Sequence, residues 1–169
     1  MKCFKSSMVL MLVYGFTLAG VPPIQAQQQQ QQQQQQHGKW TLNSFKSKFS
    51  GNAPKEQTQK YEAQGEATKV TVVGVDANGN SVAYDYVFTP DGKIHPVVAA
   101  MPNGADSVEV KQIDANTIET NFMKGGKVIE TTRTEASKDG KQLTITSMKT
   151  APDGRQVKDV MVFDKSSAA

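Results

Sequence analysis

Short turn-forming clusters punctuate the chain at nearly even intervals. They read DANGN from Asp76, PDGK from Pro90, PNGAD from Pro102, DANT from Asp114, KGGK from Lys124, KDGK from Lys138 and PDGR from Pro152. Asn-Gly and Asp-Gly suit tight hairpins because both residues tolerate positive φ. Successive clusters lie about 10 to 14 residues apart, the spacing of a meander of short strands. The segments between them alternate in polarity. Val82, Tyr84, Tyr86 and Phe88 share one face, and Ala83, Asp85, Val87 and Thr89 share the other. Val70 and Val72 oppose Thr71, Val73 and Val75, while Val108 and Val110 oppose Glu109 and Lys111. Ile118 and Phe122 oppose Glu119 and Asn121, and Leu143 and Ile145 oppose Thr144 and Thr146. Period two repeated this often specifies half-buried strands. No helical period competes, and LNSFKSKF (42–49) suits one turn at most.

Hairpins with one apolar face must hide that face. An open sheet would leave it wet and leave two edges unpaired, whereas closure gives a common interior. The expected fold is therefore all-β, an antiparallel up-and-down meander closed into a barrel of roughly 8 to 10 strands. A β-sandwich is the alternative, but its Greek-key crossings need longer connections than these turns provide.

The barrel is expected to occupy 38–166, followed by a disordered tail at 167–169. Residues 1–26 have the plan of a secretory signal: basic Lys2 and Lys5, the apolar run Met8–Gly20, Pro22-Pro23, and Ala26 at the cleavage point. The run is short of the roughly 20 apolar residues a membrane span needs. No span is therefore expected after cleavage, and the mature protein is expected to be secreted or periplasmic. Val21 stands where a lipoprotein would need cysteine. Residues 27–37 follow as a leader built on ten glutamines, Gln27–Gln36, which bury no apolar surface and suit disorder. The only cysteine, Cys3, leaves with the signal, so core packing alone must hold the domain.

Lys2 and Lys5 are two of 19 basic residues, so cleavage leaves 17 against 16 acidic ones and a net charge of +1. With no basic stripe interleaved with aromatics, nothing points to nucleic acid. Lys69, Glu109, Lys111, Glu119 and Lys158 on the outer face argue against a lipid-facing apolar band.

Catalytic signals are weak, and no enzyme, cofactor or metal site is expected. His95 stands alone in GKIHPVV, and a calycin-like enzyme would need it in a cleft beside Asp85 or Asp91. DANGNS matches the first, third and fifth positions of a calcium loop, then fails with Ser81 at the sixth and Val87 at the twelfth. The aromatic stripe is a better candidate. Tyr84, Tyr86, Phe88, Phe122, Met161 and Phe163, with Met123 and Met148 as additions, have the apolar character of a ligand wall.

GKWTL (38–42) resembles the Gly-x-Trp start of lipocalins and fatty-acid-binding proteins, in which the tryptophan plugs one end of the barrel. The stretch GGKVIETTRTEASKDGKQLTIT and the ending Phe163, Asp164, Lys165 are similar to the last hairpins of fatty-acid-binding proteins. GKW, KSKF and the repeated DGK also resemble small secreted lipocalin-like proteins of bacteria. The resemblance implies Trp40 as a structural plug and a small hydrophobic ligand inside a monomeric barrel. Two features depart from it. Met161 stands where fatty-acid-binding proteins carry a carboxylate-binding arginine, which leaves Arg133 as the substitute clamp if it points inward. The segment after Trp40 has room for a loop rather than a helical lid. The competing reading is a non-catalytic envelope or surface interaction module with a filled core.

Overall fold

The computed structural model describes residues 36–166 except Ala99 and Pro152. The signal segment, nearly all of the glutamine tract and the 167–169 tail lie outside the described residues. Ten strands follow one another: β1 (Gly38–Leu42), β2 (Glu56–Gln64), β3 (Ala67–Val75), β4 (Ser81–Phe88), β5 (Asp91–Pro96), β6 (Ser107–Asp114), β7 (Thr117–Lys124), β8 (Lys127–Ala136), β9 (Gln142–Thr150) and β10 (Gln156–Lys165). They form one sheet in the order β4-β3-β2-β1-β10-β9-β8-β7-β6-β5. Every pairing is antiparallel. The first strand joins the last, and the ladder is interrupted only between β4 and β5. The meander is therefore a nearly closed barrel, as the turn spacing predicts.

The two ends of the barrel differ. One end gathers the finish of β10, the start of β1 and the β8–β9 hairpin. There Trp40, Phe163, Leu143 and Val70 are completely buried. The strand register explains this layer, because Leu42 opposes Phe163, Phe163 opposes Leu143, and Trp40 opposes Lys165. The Trp40 indole N–H donates to the carbonyl of Gln36 at 2.8 Å. The Lys165 ammonium lies 5.0 Å from the centre of its ring, a cation–π contact. Gln36 and His37, expected in the leader, thus lie against this end, with His37 Nε2 3.5 Å from Thr68 Oγ1.

Inside the gap between β4 and β5, one aromatic pair reaches across. Tyr86 of β4 meets Phe122 of β7 edge to face at 5.8 Å, and along its own strand it lies 6.2 Å from Phe88. The Tyr86–Phe122 pair contributes about 0.5–1.5 kcal/mol beyond its buried area at a seam that lacks backbone hydrogen bonds. The outer faces carry ion pairs, including Lys69–Asp85 at 3.0 Å between β3 and β4 and Lys111–Glu109 at 2.9 Å along β6.

Between β1 and β2, residues 43–55 run along β10 as a loop, in place of a helical lid. Asn43–Ser47 make one turn closed by Lys46 N–H to Asn43 O at 3.2 Å. The chain then pairs with β10, where Lys48 and Val160 exchange two backbone bonds of 2.7 Å. This covers the β10 edge that the five-residue β1 is too short to reach. Where β2 begins, Gly74 of β3 lies so close that a Cβ there would fall 2.3 Å from the Glu56 carbonyl oxygen. Only glycine allows that approach.

Asp164 ties the 43–47 turn to the barrel. Its carboxylate accepts from Asn43 Nδ2 at 2.7 Å and Lys46 Nζ at 2.9 Å. The bonds from Asn43 and Lys46 hold its pKa down, to about 2. A carboxyl depressed in the folded state stabilises fully above its unfolded value, near pH 4, and loses that contribution as pH falls through about 2. Asp164→Asn is expected to lower the melting temperature at neutral pH. The gap from wild type should close between about pH 4 and 2, read from melting curves across that range.

Candidate functional site

Above the buried Trp40 layer, the interior opens into a cavity of about 360 Å³. Its wall is built from alternate residues of strands on both sides of the barrel. Gln59 and Tyr61 come from β2, Val72 from β3, and Tyr84 and Tyr86 from β4. Glu130, Thr132 and Thr134 come from β8, Ile145 from β9 and Met161 from β10. A second hollow, lined by Pro54, Gln57, Val82 and Lys149 among others, shares several of these residues and forms the mouth.

The aromatic face of β4 therefore runs through successive depths of the barrel. Val82 stands at the mouth, Tyr84 and Tyr86 line the cavity, and Phe88 lies in the core at 3% exposure. Phe122 and Met161 join the wall as the sequence suggests. Phe163 lies in the layer with Trp40 instead. Of the two further methionines, Met123 is buried away from the wall and Met148 points outward, 47% exposed.

Arg133 does not reach the interior. Its neighbours Thr132 and Thr134 face the cavity, so strand alternation turns Arg133 out, where Nε lies 3.1 Å from Glu135 Oε1. The substitute clamp is thereby removed, and Met161 occupies the wall with no arginine beside it.

Sequence reasoning missed three contributors. Glu130 points inward in phase with Thr132 and Thr134 and stands opposite Phe122; the register shift lies just before it, where Met123 opposes Val128 and Ile129 is the extra residue. Met101 and Asn103 come from the segment 97–106, which PNGAD marked only as a turn. Its residues 101–105 lie at the mouth, where Met101 and Ala105 are buried. Asn103 Nδ2 donates to Glu130 Oε2 at 2.8 Å, and Ser147 Oγ donates to Oε1 at 2.6 Å.

The phenols of the wall stay protonated. Burial pushes Tyr84 up to about 12, with the Glu130 charge adding to the shift. Tyr86 and Tyr61 are raised well above the ordinary phenol value, first by burial and then by neighbouring phenols, with Glu130 adding to the shift at Tyr86. The Tyr61 hydroxyl donates to Gln59 Oε1 at 2.9 Å. The interior thus offers apolar walls, neutral hydroxyls, the Glu130 carboxylate and, toward the mouth, the Lys149 ammonium.

No comparable arrangement surrounds His95. Its Nε2 lies 2.9 Å from Asp91 Oδ1 on β5, and neither residue lines the cavity. Asp85 is engaged with Lys69. In DANGNS, Asp76 Oδ1 accepts from the N–H of Asn78 and of Asn80, bracing the β3–β4 hairpin. Among the described residues, no three His, Cys, Asp or Glu side chains are grouped to hold a metal. None of their helices is long and apolar enough to cross a membrane.

Neither a protein-family profile nor a curated protein sequence matches the chain. Solved structures do. A zebrafish ileal bile acid-binding protein in complex with cholic acid superposes with a TM-score of 0.51 at 17% identity, covering 77% of this chain and 98% of that one. The fold is a lipocalin-like barrel. Weaker likenesses to this barrel include the siderocalin Ex-FABP, with a TM-score of 0.39 at 13% identity, covering 79% of this chain and 75% of that one. Lobster apocrustacyanin A1 gives 0.41 at 12%, covering 80% and 63%.

Proposed function

We propose that this protein is a secreted or periplasmic, non-catalytic carrier that holds one small, largely apolar molecule inside its barrel. The observation that carries this reading is the cavity itself. At about 360 Å³ it falls in the range of small-molecule sites, roughly 300–1,000 Å³. Its wall combines aromatic, aliphatic and methionine surface with a few convergent polar groups, the composition such sites share. The bile acid-binding protein with the same fold carries cholic acid, which supports the use of this architecture for an amphiphile. The signal-like first 26 residues support export. A filled core, the requirement of the interaction-module reading, does not fit this space. The test is a titration of delipidated protein with Nile red and fluorescent fatty acids. Saturable binding of at least one probe to monomeric protein is expected, and absence of saturable binding to the monomer overturns the proposal.

A further inference from the structure

We propose that the cavity selects a compact amphiphile carrying an amine, whose ammonium group is anchored by Glu130, over one carrying a carboxylate. The inference rests on the carrier reading above and assigns its ligand class.

Glu130 is the only acidic residue in the wall, and its placement is built rather than incidental. It shares the inward face of β8 with Thr132 and Thr134 and stands opposite Phe122. Two neutral donors from separate elements, Asn103 of the 97–106 segment and Ser147 of β9, each fix one carboxylate oxygen. An ionised carboxylate offers about four acceptor sites, so capacity remains for a ligand. Among the described residues no ion pair engages Glu130. Lys149 stands opposite it in the β8–β9 register, yet its ammonium is drawn to Asp159 at 3.8 Å. Lys149 is thus the one cation of the lining and is turned toward Asp159 at the mouth, while Met161, Thr132, Thr134 and Ile145 are neutral and Arg133 lies outside.

The chemistry of the lining follows from this. A ligand carboxylate would bring a second negative charge into a partly desolvated space. An ammonium would instead gain a charge-assisted hydrogen bond to Glu130. The rings of Tyr84, Tyr86 and Phe122 would surround its substituents, and their faces favour positive charge. The raised phenol of Tyr84, to which Glu130 contributes, agrees with a negative potential in the cavity.

Decylamine, decanol and decanoate distinguish the possibilities, each titrated by calorimetry at neutral pH and in competition with Nile red. Decylamine is expected to bind at least about tenfold more tightly than decanol, with decanoate weakest. Glu130→Gln should bring decylamine to the affinity of decanol and leave decanol unchanged. Equal binding of all three, or tightest binding of decanoate, overturns the amine assignment while the carrier reading stands. Failure of all three and of Nile red to bind removes both. The wild-type ranking decides the matter even if Glu130→Gln does not fold.

Discussion

Trp40→Ala is expected to lower the free energy of unfolding by about 3–5 kcal/mol, the cost of deleting a large aromatic from a close-packed interior. Trp40 is completely buried and packs in the layer with Phe163, Leu143 and Val70. Its loss also orphans the Gln36 carbonyl and removes the ring beneath Lys165. Domains of this kind have only about 5–15 kcal/mol in total, and no cysteine follows Cys3 to staple the chain. Urea denaturation followed by far-UV circular dichroism measures the change. A loss below about 1 kcal/mol would show that Trp40 does not seal the barrel end. Trp40→Phe, which keeps most of the apolar volume, should recover part of the loss.

The second large effect concerns binding rather than folding. Thr132 sits midway along β8 and faces the cavity, so Thr132→Trp places an indole where a ligand would lie. Tryptophan suits a strand, and the cavity has room for part of the ring. The cost to stability is therefore expected to stay within the roughly 1–3 kcal/mol of overpacking. Affinity for Nile red is expected to fall at least about tenfold, equivalent to 1.4 kcal/mol. The neighbouring Thr131 faces out and donates to Asn121 Oδ1 at 2.8 Å. Thr131→Trp should leave affinity unchanged, because successive residues of a strand face opposite sides. If both variants bind like wild type, the ligand lies elsewhere.

The strands and most hairpins were legible because alternation and turn chemistry are local. The β2–β3 turn was not. It lies in AQGEA and has neither Asn-Gly nor Asp-Gly, yet Gly65 there adopts φ 64°. Alternation also reveals face but not depth. Tyr86 and Phe88 share a face, as do Met161 and Phe163, but in each pair the first lines the cavity and the second lies in the core. Depth is set by register between strands far apart in sequence, which no local pattern encodes. Glu130 shares its face with Thr132 and Thr134, and a charge among threonines gives no apolar stripe to mark that face as the inner one. Asn103 and Met101 enter the site through the fold of the 97–106 segment, whose turn signal says that the chain reverses but not that it lies at the mouth.

The methionines provide the most direct measurement of where a ligand goes. Met101 and Met161 line the cavity, whereas Met148 is exposed on the outer face. In delipidated protein with methyl-labelled methionine, titration with decylamine or Nile red is predicted to shift the Met101 and Met161 resonances saturably while Met148 stays in place. Shifts confined to Met148, or no saturable shift at Met101 and Met161, would contradict a ligand held inside the barrel.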